Sequence, residues 1–490
     1  MAEEQEQAAQ QAALTEGDLL DDMLDELELT DESRGVARTG FEEFLRWFLK
    51  PGQKAKVDKK AVDAMIAEID SKLSDQINEV LHDPGVQKIE SSWRGLKYMV
   101  DEMDFRENIR LEMLNCSKDA LIDDFEETPE LVKSGLYETV YSSEFGMFGG
   151  SPYGMIVGNY DFDKGPEDMQ LLRNCAAVSA MSHAPFISNS SPEMFGCKSF
   201  TELPKKQDLE AIFEQTDWAK WNSFRETEDA RYVGLCGPRF LLRDIYGKAG
   251  KPVKAFDFEE DVIGEHESYL WGGSAYAFAT RVAESFAKYR WCANIIGPQA
   301  GGAVKNLPLH TYKAMGESAH KIPTEVALTQ RRDYELSEQG FINLVHRKGS
   351  DNAAFFSATS SQKPQNFGNT EEGKAAETNF RLGTQLPYMF IISRLAHYLK
   401  VLQIEQIGTW KERGDLQREL NQWISQYVTE MDNPSPEVRA KRPLREARVT
   451  VEDVPGQAGW YRCKLEIRPF FKYMGADFTL SLVGKLDKQK

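Results

Sequence analysis

Several strings in this 490-residue chain carry residues able to do chemistry, but the spacing each reaction requires is missing. Gly247-Lys248-Ala249-Gly250-Lys251 has the glycines and lysine of a phosphate-cradling loop. Such a loop needs Ser or Thr after the lysine to hold magnesium, and a glycine five residues before its second one. Pro252 and Ile245 stand at those places, so nucleotide binding is not expected. The glycines at 297, 301 and 302 follow an apolar stretch without GxGxxG spacing and predict a tight turn. Gly272-Gly273-Ser274-Ala275-Tyr276 lacks the last glycine of a nucleophile elbow. His266-Glu267 has Leu270 where a zinc-binding helix would place its second histidine. His397 lies in an apolar helical stretch, where a hydrogen-bonded core histidine is expected. The acidic pairs Asp123-Asp124 and Glu126-Glu127 read as solvated. No catalytic, cofactor-binding or metal-binding residue is assigned, and the chain is read as not an enzyme.

The elements that would position any site are legible from periodicity. After Pro51-Gly52, Val62, Met65, Ile66, Ile69, Leu73, Ile77 and Val80 keep one apolar stripe on a long helix that Pro84 stops. Ile89, Trp93, Leu96 and Met99 give a second helix, read as packing. From about Val140 the texture alternates. Tyr153 to Tyr160 predicts a buried strand, Met169 to Met181 a helix and Ala184 to Ser188 a strand, as in an α/β unit. Asp351 to Gly373 is polar and predicts a long loop. Leu386 to Leu402 predicts a buried helix with Pro387 in its first turn, and Leu416 to Val428 an amphipathic one. Near the C-terminus Tyr461, Cys463, Leu465 and Ile467 alternate with charged residues. Phe478, Leu480 and Leu482 alternate with Thr479 and Ser481, and Val449 and Val451 suggest a strand before both. The fold class is mixed α/β (α+β): an N-terminal helical region, a central α/β region and C-terminal antiparallel strands with one buried face.

The first forty residues differ. Met1 to Ala13 has little to bury. Within the acidic island that follows, Leu20, Met23, Leu24 and Leu27 share one helical face, as a tethered docking peptide or a helix packed on its own domain would. The domain boundaries read as 1–40, a flexible acidic tail; 41–139, helical; 140–440, central α/β; and 441–490, the terminal strands.

With 59 basic and 78 acidic residues the formal charge is −19, which repels nucleic acid and anionic membranes. The N-terminus has no apolar core of a signal peptide, and the run Tyr388 to Leu402 is broken by Arg394, His397 and Lys400, so no membrane insertion is expected. The six cysteines are far apart with no CxxC pair, as in reduced thiols of a cytoplasmic protein.

Several strings then point one way. "WRGL" at Trp93–Leu96, "EFGMFGG" at Glu144–Gly150, "HAPFIS" at His183–Ser188, "GPRFLLRDIYG" at Gly237–Gly247, "YLWGGSAYAFA" at Tyr269–Ala279, "PTEVALTQRRDYELSEQGFINL" at Pro323–Leu344 and the strands from Tyr461 resemble, in colinear order over roughly residues 41 to 487, the large subunits of type VI secretion contractile sheaths. Ile296, the segment Ile404–Gly408 and the turn Phe470–Gly475 depart from the family pattern, which bears on the salt bridges between neighbouring subunits.

The resemblance implies a tail sheath-like core and a structural role. It implies a heterodimer with a small sheath subunit, helical stacking with neighbouring sheath subunits around inner-tube hexamers upon a baseplate, contraction that drives the tube outward, and recycling by a Clp-type AAA+ unfoldase. No cofactor is implied. On this reading Val62, Met65, Ile66, Ile69, Leu73 and Ile77 pair with the small subunit. Leu20, Met23, Leu24 and Leu27 dock the unfoldase, and the strand Phe478-Thr479-Leu480-Ser481-Leu482 joins subunits. The alternatives are the sheath of a phage-like contractile tail and, in a different class, a cytoplasmic α/β enzyme whose site is assembled in space.

Overall fold

The structure, a computed structural model, describes residues 59–454 and 461–470 together with Gly35 and Thr39, apart from 249, 263, 315–316, 369 and 432. The chain divides into two compact units, Met1–Leu73 and Ser74–Lys490.

Two helices come first, α1 (Lys59–Leu81) and α2 (Pro84–Glu102). Asp83 separates them: its carboxylate accepts from the N–H groups of Gly85 and Val86, and Pro84 fills the first position of α2, where no N–H is needed. A shorter helix, α3 (Lys118–Glu127), is capped by Ser117.

The core begins with strand β1 (Ile156–Phe162), helix α4 (Pro166–Ser182) and strand β2 (Phe186–Ser190), the parallel unit expected from the sequence. It continues with β3 (Val233–Gly237), β4 (Phe240–Leu241), β5 (Trp271–Gly272), α5 (Ser274–Tyr289) and β6 (Ala303–Val304), then a hairpin of β7 (His310–Ala314) and β8 (Glu317–Lys321). Next are α6 (Gln330–Glu338), β9 (Phe341–His346) and β10 (Ala353–Phe355). One sheet runs in the order β1-β2-β3-β9-β10-β6, parallel from β1 to β9, with β10 antiparallel to both of its neighbours.

Both faces of that sheet are covered, which is why β2 and β3 are buried at every position. Phe186, Leu235 and Phe341 point to the side packed by Leu172 and Cys175 of α4 and by Trp221. Their neighbours Ile187, Cys236 and Ile342 point to the side packed by Phe278 of α5 and by Leu386 and Phe390.

The expected long loop at 351–373 is interrupted by β10, whose Ala353, Ala354 and Phe355 are buried between β9 and β6. The four apolar residues Ala353 to Phe356 inside a polar stretch are at the lower limit of a readable strand and show no alternation.

The rest of the chain is α7 (Glu371–Gly383), α8 (Leu386–Gln406), α9 (Arg413–Ser425) and an antiparallel pair, β11 (Leu444–Asp453) and β12 (Tyr461–Pro469). α8 lies between two cores. Leu386 and Phe390 face the sheet, while Tyr388, Ile391, Leu395 and Leu399 pack with Leu420, Ile424, Val449 and Val451. Along β12 half-buried and exposed residues alternate, as the sequence period of two requires. All six cysteines are free thiols. Among the described residues no helix is long and apolar enough to cross a membrane.

Candidate functional site

Exposed apolar faces and two buried ion-pair clusters stand out among the described residues. On α1 the stripe faces outward: Ile66, Ile69 and Leu73 are 51%, 38% and 40% exposed. Met65 and Ile77 are half-buried, and the side chain of Val62 lies outside the described residues. Amphipathic surface helices ordinarily turn their apolar face toward a core, so these exposures depart from the usual arrangement. The C-terminal end of α1 is fastened. Ser74 is buried, and the amide of Asn78 donates to Glu259 O at 3.3 Å and accepts from Asp261 N at 3.4 Å.

On α2, which the sequence reads as a packing helix, the structure divides the four apolar residues. Met99 is buried and Leu96 half-buried against Tyr276, but Ile89 and Trp93 are 64% and 61% exposed. The rotation of the helix is set by Gly95. A Cβ there would lie 2.4 Å from the Tyr276 ring, so only glycine lets α2 approach α5 on that meridian. A glycine inside a good helical pattern was the available signal for that close approach.

Two ionic clusters lie under α2 and the adjoining loops. In the first, Arg243 holds buried Glu260 through both oxygens at 2.6 and 2.8 Å, and Tyr246 N donates to the same carboxylate at 2.8 Å. Glu90 of α2 accepts from Arg243 at 3.0 Å and from Arg94 at 2.6 Å, and Arg94 reaches the Tyr246 hydroxyl at 2.8 Å. Burial pulls the Arg243 guanidinium pKa down, but Glu260 and Glu90 more than offset it and hold the charge.

In the second cluster, Arg239 grips buried Glu325 at 2.8 Å through two nitrogens and reaches Glu267 at 3.3 Å. His266 Nε2 is 3.3 Å from Glu325, and its Nδ1 is 3.0 Å from Lys321 Nζ. Burial raises the Glu325 pKa, and Arg239 and His266 more than reverse that, leaving it below the ordinary glutamate value.

His266, Glu267 and Glu325 bring three ligand atoms within 4.8 Å of one another, a grouping the sequence reading missed because Glu325 comes from the far side of the β7–β8 hairpin. The donors do not fit a metal. Arg239 already occupies both oxygens of Glu325, Lys321 sits on the imidazole, and a cation there would face two positive side chains.

The other candidate strings have structural uses. Gly273 packs against the Asn189 amide, whose Oδ1 accepts from Ala275 N at 3.0 Å, so the Gly-Gly-Ser string opens α5 and leaves Ser274 buried. Lys251 N donates to Ile245 O at 2.8 Å, so Lys251 folds back beside Ile245, and Gly302 N closes its turn onto Gly297 O at 2.9 Å. His397 is the expected core histidine: its Nε2 is 2.9 Å from Ser182 O, and burial pushes its pKa down to about 4. Asp124, read as solvated, instead accepts from Gly135 N at 2.8 Å and Leu136 N at 3.3 Å.

The C-terminal pair has one closed edge. Asn421 of α9 donates to Val449 O at 2.7 Å and accepts from Val449 N at 2.9 Å, and Gln417 accepts from Val451 N at 3.2 Å. Among the described residues no strand pairs the other edge, that of β12. The expected docking face Leu20, Met23, Leu24 and Leu27 and the expected joint strand Phe478 to Leu482 lie outside the described residues.

Comparison with known proteins places the chain in a family. The EvpB/VC_A0108 tail sheath N-terminal domain matches residues 63–362, and the tail sheath gpW/gp25-like domain of the same family matches 375–486. The type VI secretion system sheath protein TssC1 of Pseudomonas aeruginosa is 41% identical over 436 residues, 88% of this chain and 87% of that protein. Among solved structures, a chain of the anti-feeding prophage baseplate is 7% identical with a TM-score of 0.35, covering 77% of this chain and 83% of that one. The contracted helical sheath of the same prophage gives 10%, 0.31, 66% and 68%. The sequence matches, end to end across the sheet core and the C-terminal hairpin, decide the assignment: the chain belongs to the EvpB/VC_A0108 tail sheath family, the large sheath subunits of type VI secretion.

Proposed function

We propose that this chain pairs with a small sheath subunit, and that the heterodimers stack in the cytoplasm around an inner tube upon a baseplate and contract to drive the tube out of the cell. The observation that carries the pairing is the outward apolar stripe of α1, an oily face on a chain of strongly acidic surface. Its role is structural, not enzymatic. The proposed division of labour is a docking tail at 1–40, small-subunit pairing at 41–139, the sheath body at 140–440 and the joint at 441–490.

In the joint, one edge of the β11–β12 pair is occupied by Asn421 and Gln417, so an added strand would enter at β12. The strand Phe478 to Leu482 is the proposed inter-subunit element. Leu20, Met23, Leu24 and Leu27 are the proposed recognition face for a Clp-type AAA+ unfoldase that recycles contracted sheath. Co-expression with the neighbouring small-subunit gene tests the whole reading. Tubules in electron micrographs are expected, and a soluble, well-folded monomer that ignores the small subunit would overturn it.

A further inference from the structure

Between α2 and α3 the chain crosses residues 108–117 in neither helix nor strand. Among the described residues, no backbone N–H or C=O from 109 to 115 has a hydrogen-bond partner. The sequence there is not loop-like. Ile109, Leu111 and Met113 alternate with Arg110 and Glu112, and the segment contains neither glycine nor proline, the period-two pattern of a strand.

The segment is held beside β1, the outer strand of the six-stranded sheet. The Tyr153 hydroxyl donates to the Glu112 carboxylate, and the Tyr160 hydroxyl donates to Cys116 O at 2.9 Å. Leu111 packs with Met155 and Val157 around Met99 and Tyr276. Ile109 is half-buried, while Met113 is 62% and Leu114 58% exposed. A tethered, strand-patterned segment whose main-chain groups find no partner among the described residues is a template for another strand.

We propose that residues 109–115 receive a β-strand from the small sheath subunit, paired through main-chain hydrogen bonds with apolar side chains over Met113 and Leu114. This rests on the heterodimer reading above. The main-chain groups select a peptide in extended form over any small ligand. Ile89, Trp93 and Val100 of α2 and Phe105 are exposed apolar residues as well, and so much apolar surface in this stretch of chain suits a permanent partner better than a contact between sheath copies that is made and remade.

Two measurements on the purified heterodimer test it. Amide hydrogen exchange at 109–115 should be slowed on the order of 100-fold against the free-peptide rate, as in a locally stable ladder. A photo-crosslinking residue in place of Met113 should join this chain to the small subunit. Exchange at the free-peptide rate in an intact heterodimer would overturn the proposal and leave the pairing standing. Crosslinks to a second copy, or to residues 1–58 or 471–490 of the same chain, would also overturn it. Failure of the two chains to copurify at all would remove the heterodimer reading, and this inference with it.

Discussion

Arg243 and Glu260 form a two-point ion pair with almost no solvent: their side chains are 7% and 1% exposed. The pair ties the loop after β4 to the segment whose neighbours, Glu259 and Asp261, hold Asn78 at the end of α1. The pair thereby steadies the loop segment that holds the C-terminal end of α1 at Asn78.

Arg243→Ala leaves the Glu260 carboxylate buried without its counter-charge. Loss of one partner of a buried pair costs about 3–5 kcal/mol. The Tm of the purified heterodimer should fall by several degrees, and Arg243→Lys should recover only part, because an ammonium cannot hold both oxygens. A Tm unchanged within a degree would show that the cluster carries no such load.

Ile66→Asp with Leu73→Asp places two charges on the outward stripe of α1. Both positions are already exposed, so the fold should be nearly unaffected, within about 0.5 kcal/mol per site. Pull-down of the small subunit should be lost while circular dichroism stays native. Retained pull-down would move the pairing surface elsewhere.

Two buried titrations oppose each other. Burial lowers His397 from 6.5 to about 4, so as pH falls through that window the unfolded chain takes up a proton that the fold refuses, and stability drops. Burial raises Asp333 from 3.8 to about 6, with its Asn343 hydrogen bond only partly countering, so as pH falls through that window the fold takes up the proton first, and stability rises. His397→Gln should therefore lose less stability than the parent between pH 7 and 4.5. Asp333→Asn should gain roughly 1–3 kcal/mol at pH 7.5 and little at pH 4. Thermal melts across that range check both signs, and shifts of the same sign in the two variants would refute the assignment.

Leu20→Ala with Leu24→Ala should leave heterodimers, tubules and contraction intact and stop disassembly by the unfoldase. Each truncation removes about 1.5–3 kcal/mol of apolar burial from a single weak site. Turbidity of contracted sheath incubated with the unfoldase and ATP reads the effect, and parental disassembly rates would exclude this face as the recognition element.

The sequence by itself determined the elements with clean periodicity. The α1 stripe, the β1-α4-β2 unit, α8 with Pro387 in its first turn and the alternation of β12 all follow from which residues repeat at 3.6 or at 2. It also determined the absence of any complete catalytic motif and, through colinear strings, the family. Tertiary structure alone decided which face of α2 is covered, because Gly95 meeting Tyr276 depends on a residue 181 positions away. It alone brought Glu325 to Arg239 and His266, and Glu90 and Glu260 to Arg243, since ion pairs form across loops whose lengths carry no periodic signal. And it alone showed that the main chain at 109–115 has no partner among the described residues, because whether a strand-patterned segment is paired depends on the neighbours folding brings within hydrogen-bond reach.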